Sequence, residues 1–166
     1  SNYNPNSPYS ATKASADLLI RSFNKTYGLN TTISLCSNNF GPNQHKEKLI
    51  PKVIDLIKNN NAVKLYGDGT NIREWVYVKD HCTAIDKVFN FSKIGEKYNI
   101  GGGFEISNID LIKYIYSLSK TEEKIIFVED RFGHDFRYSL NSSKIKKDFD
   151  WKTKFNLFDY LSNIRY

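Results

Sequence analysis

Tyr9 and Lys13 stand four residues apart in the run Ser7-Pro8-Tyr9-Ser10-Ala11-Thr12-Lys13. On a helix that spacing sends both side chains out of one face, one turn from each other. The pairing has a chemical use. A phenol is a poor base at neutral pH, but an ammonium held ~5 Å away favours its phenolate form and brings it towards the pH at which acid–base catalysis is efficient. Taken alone, the same spacing also fits an ordinary surface pair. Arg73 offers a planar fork of donors that suits bidentate phosphate binding; a salt bridge to Glu74 or Asp68 is the plain alternative. The polar loop from Asp130 to Asp135 brings Arg131 and His134 together, a second place for an anion to be gripped. No metal is expected. Cys36 and Cys82 lack C-x-x-C spacing, and His45 and His81 have no carboxylate or cysteine partner at ligand spacing.

Hydrophobic spacing supplies the elements that must position these groups. Ala16, Leu19, Ile20, Phe23 and Tyr27 recur at intervals of three and four before Gly28, which predicts an amphipathic helix of about five turns carrying Tyr9 and Lys13. Thr31 to Cys36 reads as a buried strand running into the polar loop Ser37-Asn38-Asn39-Phe40-Gly41-Pro42, and such strand ends often meet ligand. Leu49, Ile50, Val53, Ile54 and Ile57 form a second helical stripe ending at Asn59-Asn60-Asn61. Val63 to Tyr66 and Ile72 to Val78 read as strands joined through Gly67-Asp68-Gly69, a hairpin-like turn by its Asp-Gly pair. Asp80 is expected to cap a helix bearing Ala84, Ile85, Val88 and Phe89. A strand at Tyr98-Asn99-Ile100 closes in Gly101-Gly102-Gly103, which lacks a G-x-G-x-x-G fingerprint and reads as a backbone turn. A helix from about Asn108 to Ser119, a strand from Lys124 to Val128 and short helices from Ser142 and Asn156 complete an alternating α/β pattern without repeats.

Composition excludes several classes. The 166 residues carry 24 basic and 18 acidic side chains, a formal charge of +6, and 40% hydrophobic residues, so the chain is an ordinary globular one and disorder is a poor reading. No apolar run approaches the roughly 18 residues a membrane span needs. The basic residues are dispersed and not blocked, which argues against nucleic acid as a partner. Two cysteines without a disulfide pattern fit a reducing cytoplasm. Methionine is absent, and the opening Ser1 to Pro8 reads as a loop cut partway through, so a processed chain or a fragment is expected.

The segment around Tyr9 and Lys13 resembles the Tyr-x-x-x-Lys motif of the short-chain dehydrogenase/reductase superfamily, in its extended, nucleotide-sugar-modifying branch. Further matches follow in that family's order: Cys36-Ser37-Asn38-Asn39-Phe40-Gly41-Pro42, Lys48-Leu49-Ile50-Pro51, Leu65-Tyr66-Gly67-Asp68-Gly69, Ile72-Arg73-Glu74-Trp75-Val76-Tyr77-Val78, Tyr98-Asn99-Ile100-Gly101-Gly102 and Asp130-Arg131-Phe132-Gly133-His134-Asp135. Together they look like the C-terminal half of the dTDP-glucose 4,6-dehydratases, and the resemblance covers nearly the whole chain.

That resemblance implies an α/β fold made of the C-terminal part of an NAD(P)-binding Rossmann-like fold plus the small α/β substrate-binding domain. Residues 1–45 would be the Rossmann-like remnant and 46–166 mainly the substrate domain, with 70–95 returning to the Rossmann-like part. The implied reaction is NAD-dependent oxidation at C4 of a nucleotide-diphosphate sugar, loss of water across C5 and C6, and return of hydride to C6. Tyr9 would be the base and Lys13 would hold the nicotinamide ribose; both, with Asn39, would contact the cofactor. The substrate would be held by Asn38, by Lys48, Leu49, Ile50, Pro51, Lys52 and Val53 beside the nucleotide, and by Lys64, Leu65 and Tyr66 around the base. Arg73, Asn99 and the loop Asp130, Arg131, Phe132, Gly133 and His134 would complete the grip. Asp135, Arg137 and Tyr138 are expected to hold that loop in place.

Lys64 and Phe132 stand where the family commonly has proline. The family's glycine-rich cofactor turn and its Thr-Asp-Glu segment have no counterpart here: no glycine precedes Gly28 and no acidic residue precedes Asp17. The resemblance further implies a homodimer through the Tyr9 to Gly28 helix. Leu19, Phe23 and the Thr31 to Cys36 strand are expected to expose apolar surface, leaving the isolated chain marginal or associating. Three readings compete: a nucleotide-sugar epimerase or decarboxylase of the same branch, a non-catalytic module stacking RNA on Tyr66, Trp75 and Tyr77, and an interaction fragment built on the first helix.

Overall fold

The computed structural model describes residues 3–165. Ser1 and Asn2 of the expected opening loop lie outside them, and Tyr3 to Asn6 carry no regular structure. Helix α1 (Pro8–Tyr27) starts at Ser7, whose extended backbone and hydroxyl cap the Ser10 amide, with proline at the first helical position. It stops at Gly28, where φ is +65° and the amide closes on the Asn24 carbonyl. The predicted helix is present, but its burial is inverted. The half-buried positions are Ser7, Ser10, Ala11, Ala14, Asp17 and Asn24, whereas Leu19, Phe23 and Tyr27 face outward. Asp17 anchors this inner face, accepting from the Tyr3 hydroxyl at 2.7 Å and from Lys97 at 3.0 Å.

Strand β1 (Ile33–Cys36) pairs in parallel with β5 (Lys97–Ile100), in the register Ile33 with Lys97. A second sheet is built on β4 (Ile72–Tyr77), which takes β2 (Asn38–Phe40) in parallel along Trp75–Tyr77, β6 (Phe104–Ser107) antiparallel along Ile72–Trp75, and β8 (Arg137–Tyr138) in parallel at Ile72–Arg73. The third pair is β3 (Val63–Tyr66) with β7 (Ile125–Val128), also parallel. The two faces of β4 serve two cores. Trp75 and Tyr77 join one cluster with Ile50, Val53 and Ile57 of α2 (Leu49–Lys58), Leu111, Ile112 and Ile115 of α4 (Asn108–Ser119), and Leu157 and Leu161 of α6 (Leu157–Ser162). Val76, pointing the other way, packs with Ala84 and Val88 of α3 (Val78–Phe91), Tyr98, Ile100, Ile145 of α5 (Ser143–Phe149) and Trp151. Among the described residues no helix is long and apolar enough to cross a membrane.

Two sequence expectations are corrected. The strands either side of Gly67-Asp68-Gly69 do not form a hairpin: β3 pairs with β7, and β4 with β2, β6 and β8. The four C-terminal residues of β4 are all buried, which demands partners and packing on both sides, while β3 alternates and buries one face only. Asp68 spends its carboxylate locally, accepting from the amide and hydroxyl of Thr70 at 2.9 and 2.6 Å. Asp80 is not the cap of α3 but the third residue of its first turn, because α3 follows β4 without a loop. Its buried carboxylate accepts from the amides of Lys154 and Phe155 at 2.9 and 3.1 Å and so fastens the C-terminal segment. Strands β2, β6 and β8, none of them anticipated from the sequence, are two to four residues long, too short to show period-two patterning.

Asp80→Ala leaves those two amides without their acceptor and is expected to cost about 1–3 kcal/mol in urea unfolding. The outward apolar face of α1 is expected to drive self-association of the isolated chain, seen as concentration-dependent sedimentation and reduced by Phe23→Lys. A single cooperative monomer more stable than about 5 kcal/mol would contradict that expectation.

Candidate active site

The exposed end of α1 presents Tyr9, 71% accessible, with the Lys13 ammonium 5.7 Å from its ring centroid. The predicted juxtaposition is therefore present on one helix face. Next to it runs the loop that follows β7. Gly133 lies so close to the chain entering α1 that a Cβ there would come 2.8 Å from the Asn6 carbonyl oxygen, and its φ of +68° favours glycine as well. This seam places Arg131 and His134 beside the start of the Tyr9 helix. Tyr138 closes the same corner, its hydroxyl donating to the Cys36 carbonyl at 3.0 Å. Burial holds the Tyr138 phenol above its usual value, with the nearby Cys36 and Tyr9 groups adding to it.

Within the loop the protonation pattern follows from the donors. Arg131 can only donate, so the His134 Nε2 that lies 2.8 Å from its Nη2 accepts. His134 Nδ1 then donates to Asp130 at 2.7 Å. That bond, followed by the Arg131 amide, keeps the Asp130 carboxyl below the ordinary aspartate value. The Arg131 guanidinium also lies over Tyr66, 5.0 Å from the ring centroid, linking the loop to the end of β3. Phe132 is 99% exposed.

Arg73 sits half-buried on β4, with Nη1 donating to the Ile72 carbonyl at 2.7 Å. Burial lowers its pKa from the usual arginine value; Asp135 and Asp130 oppose that shift and Arg131 adds to it. The alternative salt bridge to Glu74 or Asp68 is absent: among the described residues no carboxylate lies within ion-pair distance of Arg73. A half-buried cation without an ion pair, beside a second arginine, is a setting that an anion would relieve. The loop behind it is tied down by Arg137, whose Nε and Nη2 donate to Glu105 at 2.7 and 2.6 Å, by the Ile72 amide to Phe136 at 2.7 Å, and by Asn71 to the Asp135 carbonyl.

Asn38 and Asn39 are strand residues, aligned with Trp75 and Val76 of β4. Asn38 consequently shares the face of Arg73 and Trp75, while Asn39 points to the α3 side, where its amide oxygen meets His81 Nδ1 at 2.9 Å. Nothing in the order of residues connects His81 with Asn39, which becomes adjacent only through the β2–β4 pairing. Asn99 at the end of β5 donates to the Asn141 carbonyl at 3.2 Å. Other residues stand further back. Ile50, Val53 and Leu65 are core side chains, Leu49 and Pro51 are half-buried, and Lys48, Lys52 and Lys64 are exposed with no side-chain contact to the group just described. No cluster of metal-ligating side chains occurs among the described residues. A cavity of about 300 Å³ between α1 and the β1–β5 sheet, lined by Tyr3, Asp17, Ile20, Arg21 and Lys97, contains none of these residues.

An α/β chain with parallel strands and a Tyr-x-x-x-Lys helix beside an arginine-bearing sheet has a Rossmann-like fold, and comparison with known proteins specifies its family. The chain belongs to the GDP-mannose 4,6 dehydratase family, whose profile matches residues 1–164. It is 49% identical over 158 residues to the low-salt glycan biosynthesis protein Agl12 of Haloferax volcanii, covering 95% of this chain and 51% of that protein. With the dTDP-glucose 4,6-dehydratase of Escherichia coli it shares 46% identity over 158 residues, covering 90% of this chain and 44% of the relative. The crystal structure of DesIV, a dTDP-glucose 4,6-dehydratase from Streptomyces venezuelae solved with NAD bound, superimposes with a TM-score of 0.94 at 42% identity over 98% of this chain and 51% of DesIV. The chain thus spans about half the length of the curated relatives it matches.

The depressed Asp130 value has a consequence for acid. Its contribution to holding the loop is complete above the ordinary aspartate value of 3.8 and is lost as pH falls through the lower, folded-state value. Hydrogen exchange at the His134 amide is therefore expected to accelerate only at strongly acidic pH, and Asp130→Asn is expected to abolish that acid-dependent step.

Proposed function

We propose that this chain forms the proton-accepting and substrate-gripping part of an NAD-dependent dehydratase, a lyase that converts dTDP-glucose to dTDP-4-keto-6-deoxyglucose with loss of water. The observation that carries this reading is the half-buried Arg73, with no carboxylate within ion-pair distance among the described residues, beside a loop whose Arg131 and His134 abut the start of the Tyr9 helix. A diphosphate at the arginines leaves its sugar within the corner that Tyr9 borders. Similarity to proteins named dTDP-glucose 4,6-dehydratase supports the choice of base and sugar.

Each group then has a task. Tyr9 takes the proton of the sugar 4-hydroxyl, and Lys13 steadies the phenolate and holds a ribose. Arg73 and Arg131 neutralise the diphosphate, with His134 orienting Arg131. Tyr66 offers its ring to the base, and Asn38 and Asn99 hydrogen-bond substrate hydroxyls. The Lys48 to Val53 segment and Lys64 line the nucleotide, with Ile50, Val53 and Leu65 acting through packing. The donor set fits NAD: an exposed phenol and ammonium one turn apart suit a ribose diol, and the Asn39 amide oxygen keeps a lone pair for a ligand. NAD, when bound, supplies the hydride acceptor for C4 and the donor for C6. The proposal includes the division into a Rossmann-like part (1–45, with 70–95) and a substrate part, a homodimer through α1, and a cytoplasmic location suited to two free cysteines.

The complete reading frame, given dTDP-glucose and NAD, is expected to yield the 4-keto-6-deoxy product; a 4-epimer overturns the reading in favour of an epimerase. Tyr9→Phe is expected to lower kcat about 10²- to 10⁴-fold with nucleotide affinity kept. Arg73→Ala is expected to weaken dTDP binding about 10- to 100-fold by calorimetry. Salt-sensitive RNA binding indifferent to dTDP would point instead to a nucleic-acid module.

A further inference from the structure

Asn39 is held from three directions. Its amide nitrogen donates to the Ser37 carbonyl at 3.2 Å and to Cys36 Sγ at 3.6 Å, its amide oxygen lies 2.9 Å from His81 Nδ1, and its backbone carbonyl accepts from Gln44 Nε2 at 2.8 Å. Turning the amide over would set its oxygen against the Ser37 carbonyl, two acceptors face to face, so the observed orientation is the one the surroundings allow. The amide oxygen cannot donate, and the bond to His81 therefore requires the hydrogen to be on His81 Nδ1.

We propose that His81 is a positioning residue that donates from Nδ1 to the Asn39 amide oxygen and thereby fixes the orientation in which Asn39 meets the cofactor. The inference rests on the reading of Asn39 as an NAD contact. Strand β4 supports both ends of the bond: it pairs with Asn39 through Val76 and continues directly into α3, whose fourth residue is His81. Burial pushes the imidazole below its usual value, so it is neutral at pH 7 with a single N–H, and that hydrogen is committed to Asn39. A chemical restriction follows. With both hydrogens of the amide nitrogen engaged, Asn39 offers a ligand only the second lone pair of its oxygen, so the group it meets must be a donor, such as a carboxamide N–H or a hydroxyl, and never a phosphate or carboxylate oxygen. Without His81 the amide oxygen loses its partner, the amide is steadied only through its nitrogen at Ser37 and Cys36, and that selection is weakened.

Two variants test this. His81→Phe keeps the ring and removes the donor, while His81→Asn returns an amide nitrogen to the position of Nδ1. Long-range nitrogen–proton spectra of the unsubstituted chain are expected to show His81 as the Nδ1–H tautomer. The Asn39 side-chain amide signals are expected to move in His81→Phe and to return in His81→Asn. In the complete protein, NAD affinity is expected to fall about 5- to 10-fold in His81→Phe and to recover within about 2-fold in His81→Asn, with dTDP affinity unchanged throughout. An Nε2–H tautomer, or Asn39 signals indifferent to His81→Phe, overturns the proposal. NAD affinity equal in all three proteins also overturns it. Failure of the unsubstituted protein to take up NAD at all would sink the cofactor assignment of the preceding section, whereas the spectra decide the His81 to Asn39 bond independently.

Discussion

A carboxylate sealed inside the protein organises the arrangement. Glu74 is 1% exposed, and its two oxygens accept from the amides of Gly103 and Leu140 at 2.7 and 2.8 Å. Those amides belong to the turn after the Asn99 strand and to the segment leaving β8, so one side chain fixes the exits of two site-bearing loops. The close fit explains the glycine at 101, where a Cβ would come 2.4 Å from the Glu74 carboxylate. Ser142 reinforces the contact, receiving the Gly101 amide at 2.6 Å. Burying a carboxylate is tolerable only when donors surround it, and here they are backbone groups that no side-chain substitution removes.

Strand alternation divides this labour. Glu74 and Arg73 are neighbours in sequence but project to opposite faces of β4, one accepting backbone amides and the other bonded only to the Ile72 carbonyl among the described contacts. Partners on both sides of β4 keep the pair in register, and Arg137, locked to Glu105 on β6, keeps β8 beside it. Tyr138 then carries that order across to the end of β1, beside the corner where Tyr9 emerges. The β8 end of one sheet is thus tied to the corner at the start of α1, although the residues concerned are far apart in the chain.

What could be read from the sequence follows the range of the forces involved. Helices α1, α2 and α4 are local and periodic, the first and last capped by serine, and their bounds were legible within a few residues. The Tyr9 and Lys13 juxtaposition is also local, since helical spacing alone determines it. Partnerships between distant segments were not legible. An Asp-Gly pair suggested a hairpin, but pairing was decided by which faces of β3 and β4 had to be buried. Asp80 carries the signature of a cap, yet the donors it meets lie more than seventy residues later. His81 gave no signal because a lone histidine looks alike whether it is solvated or bonded to Asn39. The apolar stripe of α1 was correctly periodic, but periodicity cannot say which side of a helix a neighbour will occupy.

The parallel pairings carry a consequence for biogenesis. Ile33 is matched with Lys97 and Val63 with Ile125, so each of these strands must wait for some sixty further residues to be synthesised before its mate exists. At ribosomal speeds of about 5–20 residues per second that delay lasts several seconds, during which the Ile33 segment lacks its β5 partner. Closure of long loops is also intrinsically slow, which makes this a late-assembling topology and marks the emerging strands as natural clients for holding factors on the ribosome.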